Sequence, residues 1–277
     1  MTASVLLDLA APIFVLGMPR SGTSWLSQIF ESSPDCLVRL SPNYSYPLKN
    51  RLSIDTSLAD WLEALRLAAE SDDPFMTQNW RRNTGEFTRF PDALTRKACR
   101  LVIKDTRFHA VYQSGMSLMP RAKAVVIVRH PAAMLWSWRS CKEFPSGGDF
   151  SRDWRSGACK KGEGPGEYWG FDDWKVLTLE YCRLAQAWPE RYCIIRYEAL
   201  VNDPKAVVAG VFSFLGLEVS KQTKQFLRDS QSVHDSRPYA ICKSRSVATA
   251  WKEHFPEEIL KEIRDEVAGT ILARFIQ

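Results

Sequence analysis

Four short apolar runs constrain this chain most: "PIFVLG" at 12–17, "CRLVIK" at 99–104, "AKAVVIVR" at 122–129 and "YCIIRY" at 192–197. Runs of this length read as strands covered on both faces. The stretches between them carry helical patterning, with helices predicted at 22–32, 57–70, 131–142, 171–188, 204–215 and 256–275. Ser57 and Asp60 have the spacing of a capping box, and "NDP" leads into the helix at 204. Strands alternating with helices define an α/β domain with a central, mainly parallel sheet flanked by helices.

Length and charge set the outer limits. The chain has 277 residues, 45% of them hydrophobic, enough for one core, so a single domain over 1–277 is expected. A net charge of +5 is too small for an obligate nucleic-acid binder and suits a Lys/Arg cluster for a small anion. The seven cysteines (36, 99, 141, 159, 182, 193, 242) are odd in number and form no CxxC pair. They signal neither a disulfide framework nor a zinc site, and reduced thiols in a cytoplasmic protein are expected. No stretch approaches the ~20 apolar residues of a membrane span. The opening "MTASVLLDLAAPIFVLG" lacks the basic start of a signal peptide.

The first apolar run leads into Gly17-Met-Pro-Arg-Ser-Gly22-Thr23-Ser24 and then a predicted helix. In that setting backbone N–H groups and the helix N-terminus converge on an anion, naturally a phosphate, which makes the domain P-loop-like. The Gly-x4-Gly spacing matches a P-loop, but Thr23 stands where an ATP loop needs its lysine, and the cation comes earlier, at Arg20. A plain strand-to-helix turn with a glycine cap has no reason to combine two glycines, an arginine and three hydroxyls.

"PRSGTSW" resembles the 5′-phosphosulfate-binding loop of sulfotransferases that use 3′-phosphoadenosine 5′-phosphosulfate (PAPS), of the soluble, bacterial small-molecule type associated with secondary metabolism. The resemblance implies the sulfotransferase fold and assigns Arg20, Ser21, Gly22, Thr23 and Ser24 to the phosphosulfate. "VVIVRHPAAMLWSW" is similar to the family's 3′-phosphate-binding strand and helix, through Arg129 and Ser137. If Pro131 starts that helix, Ser137 lies ~9 Å along it, within reach of a phosphate shared with a strand-end arginine. "IIRYEALVNDP" resembles the strand whose tyrosine lies near adenine, here Tyr197, with Trp25 as stacking partner for the base. "SRSVATAWKEHF" is similar to the C-terminal nucleotide signature without its glycines, and Arg245 and Ser246 are carried over from it. Core packing is the alternative for both aromatic rings.

Sulfuryl transfer is an in-line displacement in which charge grows on the leaving phosphate oxygen, and Arg20 is placed to stabilise it. No metal is required by this chemistry. Lys104, in "LVIKDTRF", falls where the family often has a second lysine near the transferred group; a solvated strand-end cation is the alternative. The proton acceptor is less plain. Where cytosolic relatives read Lys-Thr-His, this chain reads Lys104-Asp105-Thr106, with His109 three residues on; other branches carry a glutamate where "CLVRLSPNYSYP" offers Ser41, Asn43 and Tyr44. Asp105, at a strand end, ranks before His109 and His234 as the base, and each of the three has a structural alternative: a cap, a helix face and a polar loop.

Residues 143–170 hold seven of the fourteen glycines, and 136–174 hold five of the ten tryptophans (136, 138, 154, 169, 174). A mobile aromatic lid over a small acceptor is expected there, against the alternative that the rings pack the segment down. The leading reading is PAPS-dependent transfer to a hydroxyl or amine of a small molecule. An ATP-dependent P-loop kinase and a catalytically silent nucleotide-binding protein stand as the alternatives. The sequence leaves the oligomeric state open.

Overall fold

The computed structural model describes residues 6–90, 98–139, 148–158, 166–232, 234, 235, 237, 241 and 248–277. The chain opens with β1 (Leu6–Leu7), β2 (Ile13–Leu16), α1 (Thr23–Glu31) and β3 (Cys36–Leu40). Helices α2 (Leu58–Glu70), α3 (Pro74–Thr77) and α4 (Asn79–Asn83) precede β4 (Ala98–Asp105), α5 (His109–Leu118), β5 (Lys123–Val128) and α6 (Pro131–Arg139). Then come α7 (Phe150–Asp153), α8 (Gly170–Ala187), β6 (Tyr192–Arg196), α9 (Tyr197–Asn202), α10 (Pro204–Leu215), α11 (Lys221–Ser232) and α12 (Glu257–Val267).

All strand pairs are parallel, in the order β1-β4-β2-β5-β6, and β3 shares an edge of β4 with β1. Strand alternation divides the core in two. Phe14, Leu16, Leu101, Ile103, Val126 and Val128 face one cluster with Trp61, Tyr112 and Trp174. Ile13, Val15, Val102, Val125 and Ile127 face the other, against Trp25, Leu26 and Phe30 of α1 and Phe212 of α10. The four apolar runs thus form the sheet expected of them, and the carboxyl ends of β2, β4, β5 and β6 open onto one edge, where α/β proteins place their ligands.

Local chemistry sets the helix limits. The Ser57 hydroxyl accepts from Asp60 N at 3.2 Å, and α2 starts behind it. Asp203 caps α10 by accepting from Ala206 N at 3.0 Å, and Gly216, at φ 71°, ends it. The helix expected over 256–275 stops at Val267: Gly269 turns at φ 70°, and Ile271–Phe275 continues as a 3-10 turn. Tyr197, expected to end a strand, begins α9 instead. Among the described residues no helix is long and apolar enough to cross a membrane.

Candidate active site

The turn after β2 is shaped by two close approaches. A Cβ at Gly17 would lie 2.6 Å from the Ile127 carbonyl oxygen of β5. Gly22 adopts φ 94°, and a Cβ there would lie 2.4 Å from the Tyr197 ring. Only glycine fits either place. Arg20 itself sits at φ 69°, a left-handed conformation that costs a residue with a side chain energy. Such strain persists where the surrounding structure holds it.

What holds it is the neighbouring cluster. Arg20 donates from Nε to Ser137 Oγ at 3.0 Å, tying the loop to α6. Arg129, just past β5, donates from Nη1 to the Arg20 carbonyl oxygen at 3.0 Å. Its guanidinium also lies 4.5 Å from the centroid of the Tyr197 ring. Burial presses the Arg129 pKa down against the pull of Tyr197 and Glu198. Arg129 is 8% exposed and Ser21 1%, yet among the described residues Arg129 Nε and Ser21 Oγ have no hydrogen-bond partner. Polar atoms buried in that way call for a ligand.

Trp25 faces Tyr197 edge-on at 6.5 Å, and its Nε1 donates to Ser230 Oγ at 3.1 Å. That serine lies 205 residues away, and nothing local in the sequence could have signalled it. Arg245 and Ser246 lie outside the described residues.

The residues at the end of β4 divide by face. Leu40 pairs in register with Lys104, and both line a cleft of about 300 Å³, open to solvent, that also takes in Ser24 of the loop. Glu31 and Arg82, ion-paired to each other, line it as well. Lys104 is partly buried, and burial lowers its pKa to about 8; Asp105 opposes that shift, while Arg81, Arg107 and Arg20 add to it.

Asp105 is fully buried on the opposite side. Its Oδ1 accepts from Ser41 Oγ at 2.8 Å, Thr106 N at 2.7 Å and Arg107 N at 2.9 Å, and its Oδ2 from Tyr112 Oη at 2.7 Å. Burial raises its pKa against those four donors. This carboxylate, ranked first from the sequence as the base, organises the turn between β4 and α5. His109 is also fully buried: Nδ1 lies 2.6 Å from Tyr181 Oη, the ring stands edge-on to Tyr168 at 4.9 Å, and burial drives its pKa down to about 3. The second candidate base is thus a neutral, enclosed imidazole. His234 is exposed.

Four of the five tryptophans of the expected lid are packed down. Trp138, Trp154, Trp169 and Trp174 are buried, with Trp154, Phe171 and Trp174 forming a stack. Trp136 stacks on His254 at 5.9 Å. The described parts of 143–170 are pinned rather than loose: Phe108 N donates to Gly166 O at 3.0 Å, and Arg107 pairs with Glu167 at 2.6 Å. The remainder of that segment lies outside the described residues.

A glycine loop between strand and helix, with two arginines converging at the carboxyl edge of a parallel sheet, defines an α/β protein that binds phosphorylated ligands. The chain belongs to the sulfotransferase family, whose model matches residues 12–221. Human carbohydrate sulfotransferase 2 is 29% identical over 121 residues, covering 39% of this chain, and the chain spans 23% of that relative's length. Human carbohydrate sulfotransferase 5 is 22% identical over 94% of this chain and 76% of its own length. Among solved structures, a mouse sulfotransferase complexed with PAP superimposes with a TM-score of 0.59 at 16% identity, covering 96% of this chain and 87% of the other. The sulfotransferase domain of the Synechococcus PCC 7002 olefin synthase gives 0.54 at 16% identity, with 95% of each chain covered. These likenesses show the sulfotransferase fold.

Proposed function

We propose that this chain transfers a sulfuryl group from PAPS to a hydroxyl or amine of a small-molecule acceptor. The observation that carries the reading is the meeting of Arg20, Arg129 and Ser137 at one edge of the sheet: Arg20 Nε donates to Ser137 Oγ and Arg129 Nη1 to the Arg20 carbonyl oxygen, each at 3.0 Å. PAPS fits this surface because Ser21 Oγ and Arg129 Nε are buried without partners among the described residues.

The loop residues Arg20, Ser21, Gly22, Thr23 and Ser24 would hold the phosphosulfate, Arg129 and Ser137 the 3′-phosphate, and Trp25 and Tyr197 the adenine. Bound PAPS supplies an activated sulfuryl group and a phosphate leaving group. Arg20 would stabilise the charge on the leaving oxygen, and its fixed backbone would keep the reorganisation small. Asp105 is a positioning residue for the turn that carries Arg107, and His109 and Tyr181 support α5 and α8 from within. We also place the protein in the cytoplasm, on its scattered cysteines, of which Cys182 and Cys193 are free thiols.

Incubation with PAPS and a panel of small hydroxyl and amine compounds, followed by mass spectrometry, tests the proposal. Formation of a sulfated product together with 3′,5′-adenosine bisphosphate is expected. Phosphorylation from ATP with no product from PAPS would overturn it in favour of a kinase.

A further inference from the structure

Lys104 stands apart from the other cations around the loop. Arg81 pairs with Glu86, Arg82 with Glu31 and Arg107 with Glu167, and Arg20 donates to Ser137. Among the described residues no hydrogen bond or ion pair reaches the Lys104 amine, although the residue is partly buried and lines the cleft beside Ser24. Its surroundings are mostly positive: Arg20 from the loop, Arg81 from α4 and Arg107 from the turn after β4 all disfavour its charge. The carboxylate next to it, Asp105, is held by four donors on the other face of the strand, and Glu31, in the same cleft, is engaged by Arg82. A cation so placed lacks a counterion until an anion enters.

We propose that Lys104 is in part a neutral amine in the free protein at mildly alkaline pH and takes up a proton when the phosphosulfate of PAPS binds. Donor binding is then coupled to proton uptake at this one side chain. The inference rests on the donor reading above and adds a thermodynamic property to it. The sign follows from linkage. An anion beside the amine raises its pKa from about 8 in the free protein, so the complex binds more protons than the separated partners. Uptake is about half a proton at pH 8 and about a tenth at pH 7. Above pH 8 the donor affinity falls by up to about tenfold per pH unit until the pKa of the complex is reached.

The test is calorimetry of PAPS binding, without acceptor, at pH 8.0 in buffers of different ionisation enthalpy. The wild-type protein is expected to take up about half a proton. Lys104→Arg, whose guanidinium stays charged, is expected to bind PAPS with no uptake, and Lys104→Met to bind more weakly, also with no uptake. Circular dichroism identifies variants that have not folded, and the wild-type measurement stands without them. PAPS binding by the wild type with no uptake, or the same uptake by Lys104→Arg, would overturn the proposal and leave the donor reading intact. No binding of PAPS by the wild type at any pH would overturn both.

Discussion

Arg20 and Ser137, 117 residues apart, are joined by a 3.0 Å hydrogen bond from guanidinium to hydroxyl. One lies on the loop after β2 and the other on α6, so the bond ties together the two segments proposed to hold opposite ends of the donor. Arg129 reinforces the join through the Arg20 carbonyl, at 3.0 Å.

Arg20→Ala should lower turnover with PAPS by roughly 10²–10³-fold, the loss typical of one preorganised donor at a developing charge. Steady-state kinetics of the variant beside the wild type checks it. Arg20→Gly should lose as much activity but be about 1 kcal/mol more stable than Arg20→Ala, because glycine accepts φ 69° without a Cβ penalty. Urea unfolding of the two variants measures that difference.

Gly22→Ala should destabilise the protein by about 1–3 kcal/mol and weaken nucleotide binding. Its Cβ would lie 2.4 Å from the Tyr197 ring, on a backbone at φ 94°. Thermal unfolding and calorimetry with 3′,5′-adenosine bisphosphate read the two effects separately.

Asp105→Asn should act on stability before chemistry. The amide cannot accept from all four donors around Oδ1 and Oδ2, and a buried hydroxyl or N–H is left unpaired, at a cost of about 1–3 kcal/mol. A lowered unfolding midpoint with nucleotide affinity retained at low temperature is the expected result. An unchanged midpoint with turnover abolished would instead mark Asp105 as the base.

His109 makes stability depend on acid. Its folded pKa, about 3, lies below the ordinary 6.5, so the unfolded chain binds the extra proton. The folded state therefore loses ground as pH falls below about 6.5, by up to about 1.4 kcal/mol per pH unit, and the loss levels off near pH 3. Urea unfolding at pH 7.0 and 5.5 should show this fall in the wild type and a smaller one in His109→Asn.

β2, β4, β5 and β6 were legible because each carries a short, mainly apolar run. β3 was not, since Arg39 interrupts "CLVRL"; that side chain turns aside to donate to the Ala68 and Ala69 carbonyls at the end of α2, at 2.9 and 2.7 Å. α5 was hidden by Gly115, which looks like a helix breaker until Trp61 is seen against it: a Cβ there would lie 2.5 Å from the indole. In the candidate site, the glycine loop and Arg129 could be read from local pattern. Which face each β4 residue addresses could not: neighbours on a strand point opposite ways, so Lys104 and Asp105 parted company, and only the pairing of Leu40 with Lys104 reveals which of them reaches the loop's side. The buried tryptophans show the same limit, since a ring in a glycine-rich segment packs inward as readily as it lines a pocket.

Calorimetry of the wild type and Arg129→Ala with 3′,5′-adenosine bisphosphate, adenosine 5′-phosphate and ATP tests the central claim most directly. A dedicated 3′-phosphate site predicts that the bisphosphate binds the wild type at least about tenfold more tightly than either competitor, and that Arg129→Ala removes most of the advantage over the monophosphate. Equal affinity for all three nucleotides, or a bisphosphate preference that survives the loss of Arg129, would contradict it.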